Sequence, residues 1–208
     1  MSRPLRLLGA ALLAVVATGA VGATGAQAGT FTAGAYPATI TSENIIPVQF
    51  TTQLGAMICE PTLHGELGAA SETLTVTPNY GATCRIGGKG VHVKNNGCDF
   101  LLHAGATKEG SEVEGSMDIV CPEGKKLDFE ITSMPVCHLT VPGQGEIGTT
   151  RYTSTVQKDI VAHFELAFVF YELDNGCSIV GSFLDGSYEA TTTLKADSEG
   201  FSTPLKVD

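Results

Sequence analysis

Short runs of alternating apolar and polar residues dominate the chain, and clusters of Gly, Pro and Asn separate them. Val, Ile, Thr, Phe and Tyr are frequent in these runs, as is typical of β-strands. No run has the 3.6-residue apolar spacing of an amphipathic helix. The pattern predicts strands over Tyr36–Thr41, Val48–Thr52, Thr73–Thr77, Gly90–Lys94, Cys98–His103, Val113–Val120, Leu127–Thr132, Val136–Val141, Thr149–Thr155, Ile160–Glu172, Ser178–Phe183 and Ser187–Lys195.

The longest predicted strand, Ile160–Glu172, changes character along its length. Strict alternation places Phe168 and Phe170 on the same face as the first residue of the run. The opposite face is polar at His163 and Glu165 and apolar afterwards. This pattern indicates a strand that passes from a solvated edge into a core covering both faces, at the centre of the larger sheet. A helix over the same residues is the alternative, which the β-branched and aromatic content disfavours.

Together these runs predict an all-β fold in which antiparallel strands form a two-layer sandwich. A second arrangement with the same pattern has two β lobes that share one core. Two similar tripeptides, Asn96-Gly97-Cys98 and Asn175-Gly176-Cys177, predict tight turns with positive backbone φ angles. They indicate either two turns of one type or a faint internal duplication, and the first is favoured because Asn-Gly is a common hairpin signal.

A hairpin is predicted around Gly124, with a three-residue loop that makes Ile119 face Leu127. This register places Met117, Ile119, Leu127, Phe129 and Ile131 inside the fold, and it places Glu112, Glu114, Asp118, Asp128 and Glu130 outside.

The outer face of this hairpin is strongly acidic, and Asp118 would lie opposite Asp128. Such a pair is unfavourable without a cation. A weak calcium site that includes Glu130 is therefore considered, since Ca²⁺ prefers oxygen ligands. The favoured interpretation is a solvated acidic face, because a flat strand face does not wrap six or more oxygens around an ion.

The N-terminal segment, residues 1–28, has the three parts of a secretory signal peptide. Arg3 and Arg6 form the positive region, an apolar stretch follows, and Ala26-Gln27-Ala28 is a small-x-small cleavage site. We predict cleavage before Gly29. The remainder, residues 29–208, is predicted to be a single secreted β domain, and no later apolar run is long enough to span a membrane.

Six cysteines lie after this segment, and an even number in an exported chain indicates disulfides. Six cysteines allow 15 pairings. Closeness along the chain favours Cys59–Cys84, Cys98–Cys121 and Cys137–Cys177. A zinc site is the alternative, but the chain has no Cys-x-x-Cys or His-x-x-x-His spacing.

Charge and motifs exclude several function classes. The net charge of −10 makes nucleic acid a poor partner, because phosphate backbones are held by clustered Lys and Arg. The chain contains no Gly-x-Ser-x-Gly and no His-Glu-x-x-His motif, and its five histidines have no ligand spacing. Its lack of Trp disfavours broad platforms for stacking sugars. No catalytic residue, metal ligand or cofactor site is predicted.

Several segments together resemble a group of secreted six-cysteine all-β proteins from soil actinobacteria. The segments are Tyr36-Pro37-Ala38-Thr39-Ile40, Val76-Thr77-Pro78-Asn79-Tyr80 before Cys84, Asn96-Gly97-Cys98 and Cys121-Pro122-Glu123-Gly124. The resemblance covers nearly all of the chain after the signal segment. It rests on turns, cysteines and strand residues, so it implies a scaffold and carries over no catalytic residue.

These observations favour an exported, non-catalytic binding or structural module of the cell envelope or extracellular space. Rigid strands crosslinked by disulfides are suited to displaying loops outside the cell. Two alternatives remain open: a secreted hydrolase with catalytic residues on loops, and a calcium-dependent adhesin. A concave pocket with converging acid, base or nucleophile would favour the hydrolase.

Overall fold

The structure is a computed structural model that describes residues 28–107 and 112–208. It is all-β and antiparallel, as predicted, and the described residues form no helix. The strands are β1 (Phe31–Ala33), β2 (Ala38–Thr52), β3 (Gly55–Cys59), β4 (Thr62–Leu67), β5 (Thr73–Asn79), β6 (Arg85–Ile86), β7 (Lys89–Lys94), β8 (Asp99–His103), β9 (Glu112–Val120), β10 (Lys126–Ile131), β11 (Cys137–Pro142), β12 (Thr149–Ser154), β13 (Ile160–Leu173), β14 (Gly181–Ser198), β15 (Phe201–Thr203) and β16 (Leu205–Val207).

Thirteen of these strands, β2 to β14, form one closed meander of eight long strands, and β15 pairs with the end of β14. Three long strands, β2, β13 and β14, are continuous. The other five are interrupted at mid-length and consist of β3–β4, β5–β6, β7–β8, β9–β10 and β11–β12. Each long strand pairs with the next along the chain, and the last, β14, pairs with β2 and closes the ring. The five interruptions lie between β3 and β4, β5 and β6, β7 and β8, β9 and β10, and β11 and β12, and we call the level at which they lie the waist.

The interior of the ring is filled because inward-facing residues alternate with outward-facing ones along each strand. Opposite walls are in contact: the ring centroids of Phe50 and Phe129 are 6.1 Å apart, and those of Phe100 and Tyr188 are 6.3 Å apart. A cavity of about 30 Å³ lies among these side chains. The two walls therefore pack as two layers, in agreement with the predicted sandwich.

The waist divides the ring into two halves. The terminal half contains β4, β5, β8, β9 and β12, and the two-stranded sheet of β1 and β16 covers its end. Phe31 of β1 is fully buried there and packs edge-on against Tyr152, with ring centroids 5.2 Å apart. The disulfide half contains β3, β6, β7, β10 and β11. The three continuous strands run through both halves.

The predicted strands coincide with most of the observed ones, but two pairs of predictions merge. Tyr36–Thr41 and Val48–Thr52 belong to the single strand β2, and Ser178–Phe183 and Ser187–Lys195 to the single strand β14. Strands β1, β3, β4, β6, β15 and β16 were not predicted. Most of them are short, and β3 and β4 contain Gly residues, which weaken a strand signal.

The predicted hairpin around Gly124 is wrong. The turn itself forms, with Gly124 at φ 70° and Lys125 N donating to Pro122 O over 2.9 Å. However, the strands on either side continue along the same interrupted strand, so Ile119 faces Phe100 rather than Leu127. The predicted inner residues are nevertheless buried, because alternation alone fixes the face.

The two Asn-Gly turns are not equivalent. Asn96 and Gly97 have the predicted positive φ angles, of 53° and 80°. Their turn joins β7 to β8 within one interrupted strand instead of reversing the chain. Neither Asn175 nor Gly176 has the predicted positive φ angle. The difference gives no support to an internal duplication.

Candidate functional site

The six cysteines form three disulfides with the predicted pairing: Cys59–Cys84, Cys98–Cys121 and Cys137–Cys177. The first two join neighbouring interrupted strands at the waist, and the third joins the start of β11 to the loop after β13. Their Cα–Cα distances are 4.1, 4.1 and 4.5 Å. These residues are structural crosslinks.

Within residues 28–107 and 112–208, one group has metal-ligating atoms close together, namely Cys137, Asp174 and Cys177. Both sulfur atoms of this group are bonded to each other, so neither is a thiolate ligand. Asp174 Oδ1 instead accepts hydrogen bonds from the backbone N–H groups of His138 and Gly176, each over 3.0 Å. The group holds a loop in place.

The acidic face considered for calcium does not form as predicted. Asp118 lies opposite Leu101 and bonds to His103 over 3.0 Å. Asp128 lies in the other half and bonds to His138 over 2.9 Å.

Glu130 forms an ion pair with Lys94, with Nζ and Oε2 2.9 Å apart. The three carboxylates considered for calcium thus bond to three different side chains instead of converging on one ion.

The most unusual backbone position of the sheet is Phe168, in the middle of β13. It has φ 60°, in the left-handed region that bulky residues rarely adopt. The register with β14 shifts here, so a β-bulge interrupts the alternation. As a result Phe168 is 73% exposed, whereas the adjacent Val169 is 2% exposed. We predicted that the second half of this strand is buried on both faces, and this prediction is wrong at Phe168.

The bulge lies where β13 lacks a strand neighbour on one edge. On that edge β12 pairs with β13 as far as Glu165, and β11 pairs from Glu172. Between these points the Gln144 side chain takes the place of a strand. Its Oε1 accepts from Phe170 N over 2.9 Å, and its Nε2 donates to Phe170 O over 3.0 Å.

The loop that carries Gln144, residues 143–148, lies along β9 and not along β13. Gln144 makes a backbone bridge to Ile119, and Ile147 N donates to Met117 O over 3.0 Å. The loop touches β13 at Gly148, where a Cβ would overlap the backbone of Leu166. A surface depression therefore remains between the loop and the bulge.

This depression, which we call the Phe168 groove, has a volume of about 570 Å³. Apolar side chains from the loop, β13 and β14 contribute to its lining. Leu184, which is 60% exposed, lines the groove from β14. The main lining side chains are Glu146, Ile147, Ala167, Phe168, Phe170 and Leu184.

Tyr171 anchors the strand pair beside the groove. Its ring is fully buried and stacks on Phe183 with centroids 5.3 Å apart. Its hydroxyl accepts from Gln53 N over 2.8 Å and donates to Asp185 Oδ1 over 3.0 Å. Burial raises the pKa of Tyr171, and the hydrogen bond from Gln53 lowers the pKa of Asp185. The groove thus rests on a fixed part of the sheet.

A polar cluster continues the same outer face of β13 toward the terminal half. His163 Nδ1 is 2.8 Å from Thr191 Oγ1, and His163 Nε2 is 3.0 Å from Glu165 Oε1. Arg151 Nη2 lies 2.8 Å from the same Glu165 oxygen. The hydrogen bond with His163, assisted by Arg151, lowers the pKa of Glu165.

The order hydroxyl, imidazole, carboxylate in this cluster is also the order of a hydrolytic triad. Sheet geometry by itself accounts for it, because Thr191 lies directly opposite His163 and Glu165 is two residues along the same strand. The Arg151 contact further neutralises the carboxylate. The cluster holds Glu165 at the margin of the Phe168 groove and gives no specific argument for hydrolysis.

Sequence reasoning missed Phe168, Leu184 and Gln144. The available signal was the run from Leu166 to Tyr171, which is apolar on both faces. A run of this kind is typical of a fully covered strand, but it also fits a strand that presents apolar residues outside.

No helix among the described residues is long and apolar enough to cross a bilayer. Comparison of the chain with protein-family models, curated proteins and solved structures finds no match. The resemblance to secreted actinobacterial six-cysteine proteins therefore stays a prediction.

Proposed function

We propose that the protein is an exported, non-catalytic binding module that holds a polypeptide partner through the Phe168 groove. The observation that carries this proposal is the exposed Phe168 ring at a left-handed backbone position. Such a conformation costs about 1–3 kcal/mol, and strained positions of this kind cluster at ligand-binding sites. A Phe turned outward also exposes apolar surface that a partner could cover.

The shape of the groove favours a polypeptide as the partner. The groove runs along the edge of β13 between its pairings with β12 and β11. An extended chain segment follows a strand edge naturally, and its alternate side chains point toward the same surface. Exposed aromatic and aliphatic side chains provide the anchors of many such interfaces.

Export is supported by two independent features of the chain. The N-terminal segment has the composition of a signal peptide, and all six cysteines are oxidised. The proposed leader, residues 1–28, lies outside the described residues except for Ala28. Sequencing the N-terminus of protein recovered from the culture medium tests this step, with Gly29 expected as the first residue. Met1 on a membrane-bound product would contradict export.

A neutral aromatic probe tests whether the groove binds apolar groups. We expect millimolar N-acetylphenylalaninamide to shift the amide resonances of Ala167–Phe170 and Leu184 in ¹⁵N-labelled protein. The substitution Phe168→Asn removes the ring and keeps a residue that tolerates positive φ, so it should abolish these shifts.

The matched control is Phe201→Ala, because Phe201 is equally exposed but lies on β15. This variant should bind the probe like the unmodified protein. Shifts spread evenly over the surface, or unchanged in Phe168→Asn, would overturn the proposed binding site.

A further inference from the structure

The carboxylates around the Phe168 groove indicate the charge of its partner. Glu146 lines the groove on the loop side, and Glu165 lines it on the sheet side. Glu189 lies directly opposite Glu165 on β14, an arrangement of like charges that is unfavourable on its own. Cations placed near these groups would relieve the repulsion.

Two basic side chains from other strands are paired with carboxylates of β13. Arg151 is 2.8 Å from Glu165, and Lys126 forms an ion pair with Glu172. The middle of the groove is therefore apolar and each margin keeps a net negative charge. On the loop side this charge is that of Glu146, and on the sheet side Arg151 balances only one of the two carboxylates Glu165 and Glu189.

Electrostatics disfavours two other occupants. The chain carries a net charge of −10, so a second copy would bring the same negative margin to the groove. An anionic lipid surface is repelled for the same reason. The same negative charge that repels a second copy and an anionic lipid surface attracts a cationic polypeptide.

We propose that the groove binds an extended polypeptide segment that has a large apolar side chain flanked by Lys or Arg. The apolar side chain contacts Phe168 and Leu184, and the flanking cations meet Glu146 on one side and the Glu165–Glu189 pair on the other. This inference rests on the proposed binding function and specifies the chemistry of its partner.

Three acetylated and amidated heptapeptides test the partner's charge by calorimetric titration. Each has the centre Leu-Phe-Leu, and the two residues at each end are Lys in the first peptide, Gln in the second and Glu in the third. We expect the lysine peptide to bind at least tenfold more tightly than the glutamine peptide, and the glutamate peptide to bind most weakly. The lysine advantage should disappear in 0.5 M NaCl, because salt screens exposed charges.

Two kinds of variant separate the apolar contribution from the charge contribution. Phe168→Asn should abolish binding of the lysine and glutamine peptides alike. The double variant Glu146→Gln with Glu189→Gln should lower the ratio of the lysine-peptide affinity to the glutamine-peptide affinity three- to tenfold. Amide spectra of each variant verify that the fold is retained.

The outcomes distinguish this inference from the proposed function. Equal affinities for the lysine and glutamine peptides, both lost in Phe168→Asn, would refute the cationic partner and leave the binding function standing. Binding of none of the three peptides, together with no response to N-acetylphenylalaninamide, would overturn both. Cosedimentation with phosphatidylserine vesicles, or a dimer that dissociates in Phe168→Asn, would identify a lipid surface or a second copy instead.

Discussion

The disulfide half and the terminal half of the meander are held together by different means. In the disulfide half and at its boundary, covalent bonds join neighbouring strands three times. The terminal half has no cystine beyond the waist, and all six cysteines are accounted for. Its end is closed by β1 and β16, which bury Phe31, Leu205 and Val207. The disulfide half is thus crosslinked at the waist and again at Cys137–Cys177, whereas an apolar cover closes the end of the terminal half.

The same comparison explains the position of the Phe168 groove. Four of the five interrupted strands carry a cysteine at the waist: Cys59, Cys84, Cys98 and Cys121. The fifth, β11–β12, has the loop 143–148 at this level and no cysteine. This loop has no crosslink and lies along β9, and the Gln144 side chain takes the place of a strand at Phe170 of β13. The groove therefore opens at the one break that lacks a disulfide.

Reduction of all three disulfides should have the largest effect. Crosslinks over separations of 25, 23 and 40 residues each contribute about 3–4 kcal/mol in the chain-entropy treatment. Their sum, about 10 kcal/mol, is comparable with the whole stability of a typical domain. We expect the urea midpoint in strong reductant to fall close to zero, with the disulfide half losing amide protection first. An unchanged midpoint in protein with six free thiols, counted by mass spectrometry, would contradict this.

Truncation of the apolar cover tests the terminal half. Phe31→Ala removes a buried ring that packs against Tyr152, so it should cost about 3–5 kcal/mol in urea unfolding. Phe201→Ala, at an exposed ring, is the matched control and should stay within about 0.5 kcal/mol. Similar losses in the two variants would mean that β1 does not hold this half together.

The side chain that stands in for a strand beside the groove should matter less. Gln144→Leu leaves the N–H and C=O of Phe170 without their partner, at a cost of about 1–3 kcal/mol. Gln49→Leu, on the exposed face of β2, is expected to change stability by less than about 0.5 kcal/mol. Wild-type stability in Gln144→Leu would show that this edge of β13 needs no partner.

The smallest effect concerns the pH dependence of the disulfide half. The hydrogen bond to Asp128 raises the pKa of His138. The pair therefore stabilises the folded state fully below the ordinary histidine pKa, and this contribution disappears as the pH rises through the raised value. Because both groups are partly exposed, we expect His138→Gln to lose less than about 1 kcal/mol at pH 5 and nothing at pH 8.5. An equal loss at both pH values would exclude the charged pair as the cause.

Strand content, faces and disulfide pairing could be predicted because they depend on local pattern. Ile119 and Phe129 are buried as expected, since alternation assigns a face without any knowledge of the neighbouring strand. Cysteines close in the chain pair because a meander places successive strands side by side. The direction of the chain after Gly124 could not be predicted. The same turn geometry occurs where a chain reverses into a hairpin and where, as here, it continues along the same interrupted strand.

The sequence by itself determined that the chain forms strands, which residues face inward along most of them, and where positive φ angles occur at Asn96, Gly97 and Gly124. Only the tertiary structure decided that β14 closes onto β2, that five strands continue across the waist, and that Phe168 faces outward. The physical reason is that a two-residue period specifies on which face of the sheet a side chain lies, but not which strand pairs along each edge. A single bulged residue inverts the faces beyond it at the cost of a local disruption of the ladder.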